Sequence, residues 1–343
     1  MDHRTRGNAA IGIGNRFPLP DAVAPVTAGP VDGGCSAGSS GAPVVSGAFN
    51  ARAEMRGMWL GLIGVAIFSL TLPFTRIAVA ELDPLFVALG RAVVAAFCAG
   101  LLLWKQGASL PTAVQWRALA ITSLGVVIGF PVFSSLAMQS VPASHGAIVL
   151  GILPLATALF AALRFGERPS KGFWCAAVAG SAMVVAYAWL TAPSHAGVGL
   201  HAADLALFAA VIAAAMGYAE GGRLARTMGG PQVISWALLM ALPVVLPLTV
   251  WIGVRYGINA SPRAWASFAY VSFMSMFIGF FFWYKGLALG GIARVGQVQL
   301  LQPFLSLAGA ALLLGEALEL RNILFAMAII CVVAVGRRMP IGR

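Results

Sequence analysis

The chain has 343 residues, 60% of them hydrophobic and only 10% charged, with a formal net charge of +11. Soluble domains carry about a quarter charged residues, so this composition excludes a water-soluble globular fold. Apolar windows of about 20 residues, the length that spans a bilayer as a helix, recur almost without pause; the alternating segments of a membrane β-barrel are absent. The basic residues lie mostly between apolar runs, where they set orientation rather than bind nucleic acid.

Residues 1–57 come first. They are rich in Gly, Ala, Pro and Ser and contain no apolar run long enough for a signal peptide. They read as a disordered tail. Met55 and Met58 stand just before the first apolar run, so the tail also fits a translation start assigned too early. Ten spans follow, at 58–79, 84–104, 118–138, 143–163, 172–191, 203–222, 231–253, 264–284, 294–314 and 320–336. The expected fold is all-α and polytopic. Short connections leave little room for a soluble domain on either side. Cys35, Cys98, Cys175 and Cys331 are scattered without metal or CxxC spacing, and three of them read as packing residues within spans.

With the N-terminus inside, 17 of the 22 Lys and Arg residues face the cytoplasm and three, Arg255, Arg263 and Arg321, face out. Arg76 and Arg91 fall within spans. That asymmetry places both termini in the cytoplasm. Short loops and the absence of a signal suit an inner (plasma) membrane.

The two halves repeat. Arg76 and Pro84 match Arg223 and Pro231 at an offset of 147. Ile128-Gly129-Phe130 matches Ile278-Gly279-Phe280 at 150, and Pro154 and Gly166-Glu167 match Pro303 and Gly315-Glu316 at 149. The repeats are expected at 58–192 and 203–337. Each holds five spans, an odd number, so the second half is inverted. Inverted repeats that rock about a midplane site are a transporter arrangement.

In each half the fourth span carries Pro and ends in Gly-Glu, as LPLATALFAALRFGE and QPFLSLAGAALLLGE. The second span runs DPLFVALGR, and the second half opens with a small-residue helix ending GYAEGGR. This duplicated order resembles the drug/metabolite transporter superfamily, EamA type, over residues 58–337. The resemblance implies a ten-helix bundle around a central cavity, often serving export of amino acids, metabolites or drugs, without fixing a substrate.

Charges inside spans are the first candidates for function. Arg91 lies seven residues past Pro84, about 10 Å into its helix, with no acid at i±3 or i±4. It needs a partner on another helix or a wet cavity. Arg76 reads as a cavity residue or as an arginine that snorkels to the interface. His145 opens the fourth span, either as a structural histidine or as part of the site. Together Arg76, Arg91 and His145 make the outer half of the first repeat electropositive, which suits a carboxylate or another anion.

Glu220 is the only acid well inside a span, and it takes the place of Pro73 in the first repeat. It lies 16 residues, about 24 Å, beyond Asp204, towards the cytoplasmic end. It is either paired with Arg223 at i+3 or a proton-exchanging group. Tyr218, in the same GYAEGGR stretch, joins the cavity candidates. So do Trp283 and Tyr284 of FFFWYKG, which also fit an interfacial belt. Gln299 and Gln302, three apart on one face, either bond another helix or line the cavity. Glu167 and Glu316 read as helix-end anchors.

The leading function is a secondary transporter exporting small metabolites by alternating access. Its expected partners are a small-molecule substrate and lipid, with no nucleic acid, as monomer or homodimer. No cofactor or metal is expected, and coupling to protons is open. A facilitative exchanger or importer of the same fold is the alternative. An enzyme is not expected, because no GxSxG or HExxH falls within a span and no aspartate lies deep inside one. A channel fits an inverted repeat in one chain poorly.

Overall fold

The computed structural model describes residues 45–343 except 165–167, 191–201, 291, 318, 339–340 and 343. The tail before residue 45 and Glu167 therefore lie outside the described residues. The described chain runs as ten helical segments: α1 (45–79), α2 (Pro84–Gln106), α3 (Ala113–Ala137), α4 (Ala143–Arg164), α5 (Lys171–Leu190), α6 (Ala202–Met228), α7 (Gly230–Tyr256), α8 (Pro262–Gly290), α9 (292–314) and α10 (Leu320–Arg338). Seven are long and apolar enough to cross a membrane: α1 from Met55, α2, α3, α4, α6, α7 and α8. The apolar stretches of α9 and α10 are shorter, Val298–Leu314 and Leu320–Val332.

Local chemistry sets several of these boundaries. Asp83 caps α2, its Oδ1 accepting from the amides of Leu85 and Phe86 at 2.8 and 3.1 Å, with Pro84 in the first turn where no donor is needed. Gly107 ends that helix at φ 56°, a conformation glycine adopts without steric cost. Thr112 and Gln115 form a capping box on α3. Ser261 caps α8 ahead of Pro262. The helix that enters α1 begins at Val45, earlier than the apolar pattern predicts. Its first residues, AFNARAEMRGM, are polar enough to escape a hydropathy reading, and their Ala, Glu, Arg and Met favour helix.

The fold is two five-helix halves related by an inverted pseudo-two-fold. Contacts exchange under the swap of α1–α5 with α6–α10. The α1–α8 contact has its image in α6–α3, and α1–α9 in α6–α4; α2 packs on α7 and α5 on α10, each pair its own image. Departures from regular helix repeat as well. In α3 the helix widens to π geometry over Ser123–Gly129, and in α8 over Tyr270–Ile278. It tightens to 3₁₀ geometry over Leu150–Ile152 in α4 and Gly296–Leu301 in α9.

Small residues let these helices meet closely, since lipid gives no hydrophobic drive for association and packing must supply it. A Cβ on Gly57 of α1 would lie 2.6 Å from the Gly290 nitrogen of α8. One on Gly125 of α3 would lie 2.5 Å from the Ala213 carbonyl oxygen of α6.

The two ends of the bundle differ in charge. Arg164, Arg223, Arg226 and Lys285 gather at a basic end, and Glu81, Asp83, Asp204, Glu316 and Glu319 at an acidic end. The acidic end is fastened across the halves. Glu81, after α1, accepts from the Ser261 amide at 2.6 Å and its hydroxyl at 2.7 Å. Those two donors, the amide first, hold the Glu81 carboxyl below its ordinary range. Glu316, after α9, accepts from the Ala143 and Ser144 amides at 2.8 and 2.9 Å, closing the start of α4.

Candidate substrate cavity

A narrow, partly open cavity of about 350 Å³, counting its solvent-facing space, lies where the halves meet. Its open core is no wider than a water molecule, so an organic solute would need the surrounding helices to move. Residues from seven helices line it: Phe68 and Thr71 of α1, Arg91 of α2, Val126 and Phe130 of α3, Leu153 of α4, Tyr218 of α6, Ser275 and Phe280 of α8, and Gln302 of α9. Eight of the ten form repeat-equivalent pairs at offsets of 147–150: Thr71 with Tyr218, Val126 with Ser275, Phe130 with Phe280, and Leu153 with Gln302. The cavity therefore sits on the pseudo-two-fold.

Its walls are apolar and aromatic with a few polar groups. The Phe68 ring centroid is 5.0 Å from that of Phe280, and the Tyr218 centroid 5.4 Å from that of Trp283. Trp283 and Tyr284 are fully buried behind this cluster and do not line the cavity; the Tyr284 hydroxyl donates to the Gly217 carbonyl at 3.0 Å. Thr71 and Ser275 share a hydroxyl hydrogen bond of 2.8 Å between α1 and α8. Of the two glutamines, Gln302 lines the cavity, while Gln299 is buried with both amide heavy atoms lacking a hydrogen-bond partner.

Arg91 is the charged member of the lining. It is 1% exposed, and its Nε and Nη1 have no hydrogen-bond partner. The electropositive trio expected from sequence separates in space. Arg76 is half-buried, and its Nη1 donates to the Met138 carbonyl. His145 Nε2 lies 2.7 Å from Asp204 Oδ1, joining α4 to α6. His145 also walls a separate opening of about 590 Å³ at the acidic end, with Glu316, Glu319, Arg321 and Asn322.

Glu220 lies away from the cavity lining, fully buried near the basic end. Its nearest cation is Arg164 of α4, with Nε 2.7 Å from Oε1; Arg223, the i+3 neighbour, is 3.7 Å from Oε2. Both contacts are ionic without hydrogen-bonding geometry. The two arginines are half exposed.

Comparison with known proteins settles the family. The EamA-like transporter family matches residues 55–188 and 201–336, once in each half. The chain belongs to that family. A relative from Bacillus subtilis (strain 168), the uncharacterized transporter YdeK, is 44% identical over 283 residues, covering 82% of this chain and 96% of YdeK. A probable terminal-alkyne amino-acid exporter from Streptantibioticus cattleyicolor is 26% identical over 267 residues, covering 76% and 86%. One solved crystal structure superposes with a TM-score of 0.55 at 19% identity, covering 83% of this chain and 96% of the other; at that identity the likeness shows fold alone. This EamA-like protein is thus a multi-pass membrane transporter of small molecules.

The other lining residues, Phe68, Thr71, Val126, Phe130, Leu153, Ser275 and Phe280, carry no charge or motif in the sequence that marks them as lining. One signal was available: Phe130 and Phe280 occupy the same repeat position, directly after the matched Ile-Gly pairs.

Proposed function

We propose that this EamA-like transporter is a secondary active exporter of small, amino-acid-like or drug-like metabolites. It works by alternating access in the plasma membrane, with all ten helical segments spanning and both termini cytoplasmic. The observation that carries this reading is the narrow cavity lined by equivalent positions of two inverted halves. Such a site faces each side in turn when the halves exchange conformations. The basic end corresponds to the cytoplasmic side, and an amino-acid exporter among the relatives supports the substrate class.

Proton coupling is part of the proposal. Two buried carboxylates stand on α6, Asp204 beside His145 and Glu220 beside Arg164. Both pairs tie α6 of the second half to α4 of the first, so a protonation change at either acts on the contact between halves.

Counterflow in proteoliposomes, with and without an imposed pH gradient, tests these claims together. Trans-accelerated exchange of a loaded amino acid identifies a carrier, and gradient-driven accumulation identifies coupling. Exchange that ignores the gradient would remove the coupling and favour a facilitative exchanger. Flux that saturates with neither solute nor preload would point to a channel.

A further inference from the structure

Among the described residues, the charged groups buried in this bundle have an opposite charge against them, with one exception. Glu220 faces two arginines, and His145 faces Asp204. Arg91 faces the cavity, with Nε and Nη1 lacking partners and no carboxylate among the lining residues. A buried guanidinium left without a counter-ion is costly. Its repeat-equivalent position, at the same offset of 147 that relates Arg76 to Arg223, is Leu238, which is fully buried. The fold therefore accepts an aliphatic residue at this place, and the charge at 91 is an addition to the scaffold.

We propose that Arg91 is the substrate anchor, and that its missing counter-ion is the carboxylate of the transported solute. A guanidinium presents parallel N–H groups that match a carboxylate in two-point fashion. With a single cation in the cavity, the matching group is a monoanion. The rest of the solute meets the rings of Phe68, Phe130, Phe280 and Tyr218, so it is apolar or aromatic. An additional ammonium on the solute, as in a zwitterion, finds the Gln302 amide oxygen, the Thr71 and Ser275 hydroxyls and the ring faces. A lone organic cation meets only repulsion from Arg91. This inference rests on the transporter reading and narrows it from small metabolites to carboxylate-bearing solutes.

The test uses the purified full chain with 3-phenylpropionate, phenylalanine, phenethylamine and phenyl phosphate as probes. Binding is read as a thermal shift and transport as counterflow in proteoliposomes. The two carboxylates are expected to shift the wild-type protein and to compete in counterflow. Phenethylamine, which keeps the ring and lacks the carboxylate, is expected to do neither. Arg91→Gln is expected to weaken carboxylate binding by about tenfold or more, the loss of one charge-assisted contact, and Arg91→Lys by less. The proposal is overturned if phenethylamine binds as well as phenylpropionate, if phenyl phosphate binds best, if no carboxylate binds, or if Arg91→Gln binds carboxylates as the wild type does. The wild-type comparison of acid with amine decides the matter even if the variants fail to fold. Counterflow of the amine without competition by the acids would leave the carrier standing and remove the anchor; carboxylate binding without any counterflow would do the reverse.

Discussion

Glu220 and Arg91 are both sealed inside this bundle, and they are solved in opposite ways. Glu220 is enclosed at the basic end with an arginine from each half against it. Arg91 is enclosed at the centre with two nitrogens open and a cavity in front. A buried ion with its counter-ion is a structural joint. A buried ion without one carries an uncompensated desolvation cost, which the proposed solute carboxylate would offset. Burial alone does not distinguish function from scaffold here; the partner count does.

The largest effect that would break this contrast comes from Arg91→Leu. It places in the first half the residue the second half carries at Leu238. Carboxylate counterflow should fall by about tenfold or more, while the melting temperature should rise, since removing an unpaired buried charge relieves about 1 kcal/mol or more. Loss of both stability and transport would mean that Arg91 is a joint like Glu220.

Next, Arg164→Met should destabilise the protein by about 3 kcal/mol, because it leaves Glu220 buried beside a cation at 3.7 Å only. Denaturant titration against wild type reads the loss. Glu220→Gln should cost less, about 1 kcal/mol, since the arginines it releases are half exposed and reach water. If this variant instead loses gradient-driven accumulation while keeping exchange, Glu220 is the coupling group as well as a joint.

The smallest effect concerns an exposed carboxylate, Glu81, held at a helix cap. Glu81 has a lowered pKa because the Ser261 amide and hydroxyl donate to it. A group depressed in the folded state adds stability above its ordinary pKa and loses it as pH falls through the folded one. The protection factor of the Ser261 amide should therefore be flat near neutrality and fall, relative to other cap amides, only well below the usual carboxylate range. A fall already at mildly acidic pH would show that the clasp contributes nothing.

Much of the fold was legible because lipid makes apolar length a direct signal. Helix starts at 84, 143 and 320 match the structure. The ends of α6 and α8 do not: both run on about six residues, to Met228 and Gly290. Those residues are too polar or small for a hydropathy window, yet nothing in them breaks a helix, and α6 stops only before Gly229 with φ 86°. The cavity was less legible. Arg91 stands out because charge in a span is rare, but Thr71 and Ser275 look like any small polar residue in a membrane helix. The Arg164–Glu220 pair joins helices 56 residues apart and leaves no spacing to read; only Arg223, on the same helix, was within reach of periodicity. Likewise, the Met138 carbonyl that occupies Arg76 and the Asp204 carboxylate that occupies His145 are tertiary facts.

The glycine contacts carry one more consequence, for mechanics. Backbones touch most closely between α1 and α8 and between α3 and α6, and each pair takes one helix from each half of the sequence. Helices wedged that tightly travel together. If the protein alternates as proposed, the bodies that swing apart would be mixed ones, α1 with α8 and α9 against α6 with α3 and α4, with the hinge line across the duplication rather than along it. A pair of spin labels on α1 and α8 would keep a constant separation through the cycle, while labels on α1 and α6, which belong to different bodies, would report the stroke.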